Sequence, residues 1–134
     1  MYLLDTNIIS YWMRGKHSVI QRIKQYSPSE LSLSTISLAE ILYGIEKSPN
    51  KKQERTLKIQ HIASLLQLYP FDAHAASAYA LIRTDLEQKG MPISERDTQI
   101  ASVAMANKLI LITHNMKEFL RVKNLHSIDW AENM

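Results

Sequence analysis

An α/β fold, with a largely parallel sheet covered by helices on both faces, is the class this sequence predicts, and three observations predict it. Short apolar runs recur at 2–4, 30–34, 68–71 and 109–112, and stretches with helical spacing separate them. The first and the last of these runs each end in a polar cluster, Asp5-Thr6-Asn7 and Thr113-His114-Asn115. A parallel strand buried on both faces reads as an unbroken apolar run, and strands alternating with helices wind into such a sheet. The 134 residues suit one domain, 1–134, with no repeat, linker or low-complexity segment.

Composition narrows the chemistry. At 46% hydrophobic and 22% charged the chain can bury a real core. The absence of cysteine excludes disulfides, thiolate metal sites and thiol nucleophiles, and it suits a cytoplasmic protein. No apolar stretch approaches the length of a membrane span, and Asp5 argues against a signal peptide. A net charge of +3 is compatible with a polyanionic substrate and decides little.

In chain order, Tyr2-Leu3-Leu4 reads as a buried strand that delivers Asp5 to the carboxyl edge of the sheet, where open α/β folds bind ligands. Asp5 or Thr6 can also cap the following helix, 6–14, which carries Ile8, Ile9 and Trp12 and stops at Gly15. Ser18 is placed to cap a second helix bearing Val19, Ile20 and Ile23. Residues 30–34 alternate apolar and polar, so this strand is expected to have one better-buried face. Ser37-x-x-Glu40 has the spacing of a capping box opening the next helix, with Glu40 in its first turn. The polar segment 47–55 is read as a solvated loop and helix start, with an RNA contact as the alternative. A helix follows over 57–66, and Pro70 sends the strand at 68–71 to a sheet edge. Asp72 can cap a long helix, 73–89, ended by Gly90. Ser94-x-x-Asp97 again has capping spacing ahead of Ile100, Val103 and Ala104. The strand at 109–112 is followed by a helical turn, 116–122, with Glu118, and by a last short strand near Ser127-Ile128-Asp129.

Each acid therefore has a structural explanation, yet together they form a pattern. Asp5 follows the first strand, Glu40 the second, Asp97 opens the helix leading to the 109–112 strand, and Glu118 lies just past it. Carboxylates converging at one sheet edge repel one another, and a hard divalent cation, Mg²⁺ or Mn²⁺, relieves that with oxygen ligands alone. The five histidines lack zinc-ligand spacing, which leaves His114 as a rim or substrate contact. No P-loop, Gly-x-Gly-x-x-Gly or Gly-x-Ser-x-Gly motif is present.

Four motifs occur in order: Leu3-Leu4-Asp5-Thr6-Asn7-Ile8; Thr35-Ile36-Ser37-Leu38-Ala39-Glu40-Ile41-Leu42-Tyr43-Gly44; Gly90-Met91-Pro92-Ile93-Ser94-Glu95-Arg96-Asp97 with Ile100-Ala101; and Ile112-Thr113-His114-Asn115 with Glu118-Phe119. In this order the chain resembles the PIN-domain ribonucleases, specifically the VapC toxins of type II toxin–antitoxin pairs. The likeness runs to Ile128-Asp129-Trp130. It implies a PIN-like sheet of four to five strands in the order 3-2-1-4-5. It also implies a metal-dependent endoribonuclease acting on RNA, tRNA foremost, with a small antitoxin as partner and a homodimer as the free state. Asp5 and Asp97 match the acids that hold the metal most directly, and Glu40 the acid of the second junction. The family's fourth acid often directly follows the strand where this chain has His114 and Asn115, so Glu118 is the nearest carboxylate.

The expected site is thus Asp5, Glu40, Asp97 and Glu118 as catalytic and metal-holding acids. Thr6, Asn7, Arg96, Thr113 and Asn115 surround them, and Arg14, Lys16, Lys47 and Arg96 are candidates for phosphate contacts. Ile8, Ile9 and Trp12 with Ile41, Leu42 and Ile45, beside Tyr11 and Tyr43, are chiefly core. Their excess of apolar surface also suits a groove for an amphipathic antitoxin segment. Two other readings stand against the nuclease: a phosphatase with Asp5 as nucleophile, and a non-catalytic module of the same architecture.

Overall fold

The computed structural model describes residues 1–132 of the chain. Tyr2–Leu4 forms β1, Leu31–Ser34 β2, Gln67–Tyr69 β3, Ile110–Ile112 β4 and Ser127–Ile128 β5. They pair in parallel throughout, in the order β3-β2-β1-β4-β5, as the family resemblance implies. The helices are α1 (Thr6–Met13), α2 (His17–Ile23), α3 (Thr35–Lys47), α4 (Lys52–Leu65), α5 (Ala73–Gln88), α6 (Glu95–Ala106) and α7 (Met116–Phe119).

Period-two alternation sorts the strand residues onto the two faces. Leu4 and Ile112 point into a cluster with Ile8, Ile9, Val19, Ile41, Ile45, Ile59 and Trp130, under α1 to α4. Leu3 and Leu111 point the other way, into Ala75, Leu86, Ile100, Val103 and Phe119 of α5 to α7. The register Leu3↔Leu111 and Leu4↔Ile112 keeps each pair on one face. All four leucine and isoleucine side chains are fully buried, each contributing roughly 1.5–3 kcal/mol of transfer free energy.

β2 departs from the expectation of one better-buried face, because all four of its residues are buried. Leu31 and Leu33 face the first cluster, while Ser32 and Ser34 lie on the other side of the strand. Ser32 Oγ satisfies itself by donating to Tyr2 O at 2.6 Å. β3 lies at the sheet edge, as its proline implied, with Pro70 just beyond the strand.

Several caps fall where the sequence placed them. Asp72 accepts from Ala75 N at 3.0 Å, and Ser94 accepts from Asp97 N at 3.1 Å. Gly15 and Gly90 terminate α1 and α5 at φ +76° and +68°, where a Cβ would be strained. Two others differ. α3 begins at Thr35, so its cap is Ser34, whose Oγ accepts from Ser37 N at 3.1 Å. The serine ending β2 passes straight into the helix, and Glu40 consequently lies in the second turn rather than in a capping box. α2 starts from Lys16 without a side-chain cap, and Ser18 instead donates to Ala131 O at 3.1 Å.

The basic segment 47–55 is largely self-occupied. Arg55 donates to the carbonyls of Ser48, Asn50 and Gly44, which fastens the α3–α4 turn and removes it as a free phosphate contact. At the other end of the chain Trp130 is buried, stacked on Tyr26 at 5.2 Å between ring centroids and tilted against Tyr2 at 5.6 Å. Trp130→Ala should therefore cost about 3–5 kcal/mol in urea unfolding. A loss under about 1 kcal/mol would show that this aromatic stack is dispensable to the core.

Candidate active site

The site grows from the end of β1. Asp5 N donates to Ile112 O at 3.0 Å, which fixes the residue at the join of β1 and β4. Here the strand order reverses, the place where open sheets leave a crevice. Asp5 is also the α1 cap: its Oδ1 accepts from Ile8 N at 3.0 Å. Its Oδ2 accepts from Thr113 Oγ1 at 2.5 Å. One side chain thus both caps α1 and binds the turn after β4.

Thr113 links this acid to the next. Its Oγ1 accepts from Asn115 N at 2.9 Å, and Asn115 Nδ2 donates to Asp97 Oδ2 at 3.2 Å. Across the crevice Thr6 gives its hydroxyl proton to Glu40 Oε1 at 2.6 Å, with the buried Ser37 Oγ 3.0 Å from Thr6 Oγ1. Glu40 Oε2 lies 3.2 Å from Arg96 Nη1, in the turn before Asp97. Glu118 pairs with Arg121 at 3.5 Å, and Arg121 also donates to Pro92 O. Asn7 is exposed on α1.

Electrostatics tie the four acids together. Burial pushes the Asp5 carboxyl up to about 6, opposed by the Thr113 and Ile8 hydrogen bonds and reinforced by the charges of Asp97 and Glu40. Asp97 is also raised, first by burial and then by Glu40 and Glu118, against the hydrogen bonds from Ser94 and Asn115. Asp5 therefore feels Asp97 and Glu40, and Asp97 feels Glu40 and Glu118, whereas Arg14, Lys16 and Lys47 are not among the charges that act on either.

The donor set suits a hard divalent cation: carboxylate, amide and hydroxyl oxygens surround a carboxylate that the fold holds half-neutralised near pH 6. In this conformation the acids are held by protein partners rather than drawn onto a common point. Among the described residues, no three Asp, Glu or His groups lie close enough to hold one ion. A cation entering here competes with Arg96 for Glu40.

Three features escaped the sequence. Ser34 and Ser37 form a buried hydroxyl pair beneath Thr6, legible only once the α3 start is known. Asp129 Oδ2 takes up His114 Nδ1 at 2.9 Å, a pairing across 15 residues without a local pattern. Arg121 pairs with Glu118, an i, i+3 contact that the helical turn expected over 116–122 already allowed.

Between α1, α3 and α4 a groove of about 970 Å³ opens beside Glu40. Trp12, Ile41, Ile45 and Ile62 form its floor, with Glu54 and Lys58 at its rim. Ile8, Ile9, Ile41 and Ile45 are core, as the simpler reading held, while Leu42 and Tyr43 stay exposed.

Comparison with known proteins places this geometry. The PIN domain family model matches residues 2–125. "Ribonuclease VapC2" of Rickettsia felis is 38% identical over 133 residues, covering 97% of this chain and 98% of that protein. The "tRNA(fMet)-specific endonuclease VapC" of Shigella flexneri is 33% identical over 131 residues, covering 97% and 98%. Among solved structures, VapBC2 from Rickettsia felis, bound to a DNA fragment from its promoter, aligns with TM-score 0.86 at 36% identity over 96% of this chain and 98% of that one. DNA-bound VapBC from Salmonella typhimurium aligns with TM-score 0.89 at 29% identity over 96% and 97%.

The buried carboxylate sets a pH dependence. Asp5 binds its proton more tightly folded, near 6, than at its ordinary value of 3.8. Its stabilising effect is therefore present at low pH and lost as pH rises through that window, and Asp97 acts in the same direction. In EDTA, Asp5→Asn, which still caps α1, should gain stability over wild type on going from pH 4 to 7, by on the order of 2–3 kcal/mol at most. Parallel melting-temperature profiles for the two proteins would refute a strained Asp5.

Proposed function

The chain belongs to the PIN-domain family, and on that premise we propose that it is a metal-dependent endoribonuclease of the VapC kind, the toxin of a type II toxin–antitoxin pair. The single observation that carries the proposal is the set of mutually repelling acids at the β1–β4 crevice, with Asp5 buried among them. Residues 1–134 form the catalytic domain, acting in the cytoplasm on RNA, with tRNA as the favoured class. Among the described residues no helix is long and apolar enough to cross a membrane.

Asp5 and Asp97 would hold Mg²⁺ or Mn²⁺, with Glu40 and Glu118 beside them. The ion supplies Lewis-acid polarisation of the phosphodiester and a more acidic bound water. The protein's own part is positioning. Thr113 holds Asp5 through Oδ2 and Asn115 holds Asp97 through Oδ2, so one turn after β4 orients both acids. Thr6 fixes Glu40 with one oxygen toward the crevice. Arg96, on the rim beside Asp97, can leave Glu40 for a substrate phosphate, because its side chain is 58% exposed.

A phosphatase with Asp5 as nucleophile is disfavoured. Both carboxylate oxygens are hydrogen-bonded, and the charged groups that perturb Asp5 are acids, with no lysine among them. The groove beside Glu40 supports an antitoxin segment as partner: an apolar floor takes an amphipathic helix, and Glu40 already accepts a guanidinium from Arg96. A partner's arginine or lysine would take that place and exclude the metal. The free protein is proposed to be a homodimer.

Two experiments test the proposal. Asp97→Asn should keep its melting temperature, while RNA cleavage in Mn²⁺ falls by roughly a hundredfold or more. Near wild-type cleavage would return Asp97 to a purely structural role. Expression of the chain alone should arrest growth, and co-expression with the small protein encoded beside it should rescue growth and co-purify as one complex. A harmless chain that binds no neighbour would end the toxin reading even if cleavage is observed.

A further inference from the structure

On the side of α1 next to β4, the structure gathers a second cluster that the acid site does not use. Tyr11 is partly exposed, and His114 meets its ring edge-on at 6.0 Å between centroids, with 72° between planes. Arg14 Cζ lies 5.2 Å and Lys16 Nζ 5.3 Å from the centre of the same ring. Among the described residues neither cation is paired with a carboxylate. His114 Nδ1 lies 2.9 Å from Asp129 Oδ2, on a side chain only 12% exposed, so its ring is oriented, and in the neutral tautomer that donates through Nδ1 its Nε2 is an acceptor.

The cluster is continuous with the acid site. His114 directly follows Thr113, which donates to Asp5. Asn7, Tyr11 and Arg14 have i, i+4, i+7 spacing, a single strip of α1 leading outward from Asp5. Six residues of helix carry Tyr11 about 9 Å along the axis, the scale of a nucleotide or two. An aromatic ring with two unpaired cations and an oriented hydrogen-bond acceptor is the chemistry that takes a stacked base and its neighbouring phosphate.

We infer that Tyr11, His114, Arg14 and Lys16 form a subsite for a single-stranded nucleotide of the RNA flanking the cleaved bond. The base stacks on Tyr11, His114 Nε2 accepts from a base N–H or a ribose hydroxyl, and the two cations take the adjoining phosphate. The Asp129–His114 pair positions the imidazole and does not touch the reacting phosphate. Arg14 also borders the apolar groove, whereas Tyr11, Lys16 and His114 do not line it, so the subsite is addressed through those three.

This inference rests on the ribonuclease reading, and its test separates the two. Binding of a fluorescent single-stranded oligo(U) and oligo(A) is followed by anisotropy with Asp97→Asn protein, and cleavage of the same oligonucleotides by otherwise wild-type protein in Mn²⁺. Tyr11→Leu should weaken binding and raise KM by roughly five- to tenfold or more, with kcat little changed, and Tyr11→Phe should restore both. Lys16→Glu, at a position that makes no side-chain cap bond, should weaken binding in the same sense and lessen its salt dependence. That variant keeps the inference testable if Tyr11→Leu fails to fold. Cleavage by wild type with Tyr11→Leu and Lys16→Glu unchanged would overturn the subsite and leave the nuclease standing. Absence of cleavage, with binding still lost in both variants, would end the nuclease reading and retain the subsite. Unchanged RNA binding with lost binding of the neighbouring small protein would assign the strip to a protein interface and overturn the inference.

Discussion

A carboxylate taken out of water at the end of β1 constrains everything around it. Asp5 is 4% exposed, and burying a charge is tolerated only when it is hydrogen-bonded or neutralised. The chain supplies two hydrogen bonds, one from the α1 backbone and one from Thr113, and these do more than satisfy the acid. They lock the first turn of α1 and the end of β4 to the same atom group, which defines the crevice. The remaining penalty shows in the raised proton affinity of Asp5, and charges at Glu40 and Asp97 add to it. The fold has thereby stored a demand for positive charge at one place.

That demand is met in graded ways by groups of one kind. Arg96 sits against Glu40, and Arg121 against Glu118, both on the protein's own surface and both partly in water. Exposed pairs of this sort are weak, so they neutralise the acids without closing the site. A divalent cation brings more charge into a smaller volume, and a partner's guanidinium brings less but arrives with an apolar segment behind it. On the reading proposed above, metal and partner would compete for the same acids, and Arg96 already occupies one of them, Glu40.

Much of this could be read from the residues. Period-two alternation and apolar runs placed the strands, because a buried parallel strand leaves no other pattern, and the strand order came with the family likeness. Asp5 and Asp97 were legible because each ends a run or follows a capping serine. The errors lie where one residue type serves two geometries. Ser34 and Ser37 both stand near the start of α3, and which of them caps depends on how far β2 runs, a tertiary matter; Ser18 lies inside α2, which starts from Lys16. The burial of Ser32 was equally hidden, since its hydroxyl donates to the Tyr2 carbonyl of the neighbouring strand, thirty residues away in the chain. Glu118 and Asn115 were rivals for one role from sequence. In space the two act on the same neighbour, the Asn115 amide donating to Asp97 and the charge of Glu118 raising its carboxyl.

The turn after β4 brings these strands of reasoning together. Thr113, His114 and Asn115 are consecutive, yet they serve four different partners: Thr113 Asp5, Asn115 Asp97, and His114 both Tyr11 and Asp129. A strand end splays successive side chains to opposite sides, so one short polar run can reach three acids and an aromatic ring. Where many relatives of this fold are expected to place an acid directly, this chain spends the positions on residues that aim other residues. The nearest further carboxylate, Glu118, lies on α7, and the position next to the strand holds an imidazole oriented by Asp129. Among the described residues Arg14 and Lys16 pair with no carboxylate, which leaves a positive rim beside a negative crevice. A polyanion crossing the crevice meets attraction at its flank and repulsion at its centre, and that repulsion is lifted only where positive charge has entered between the acids.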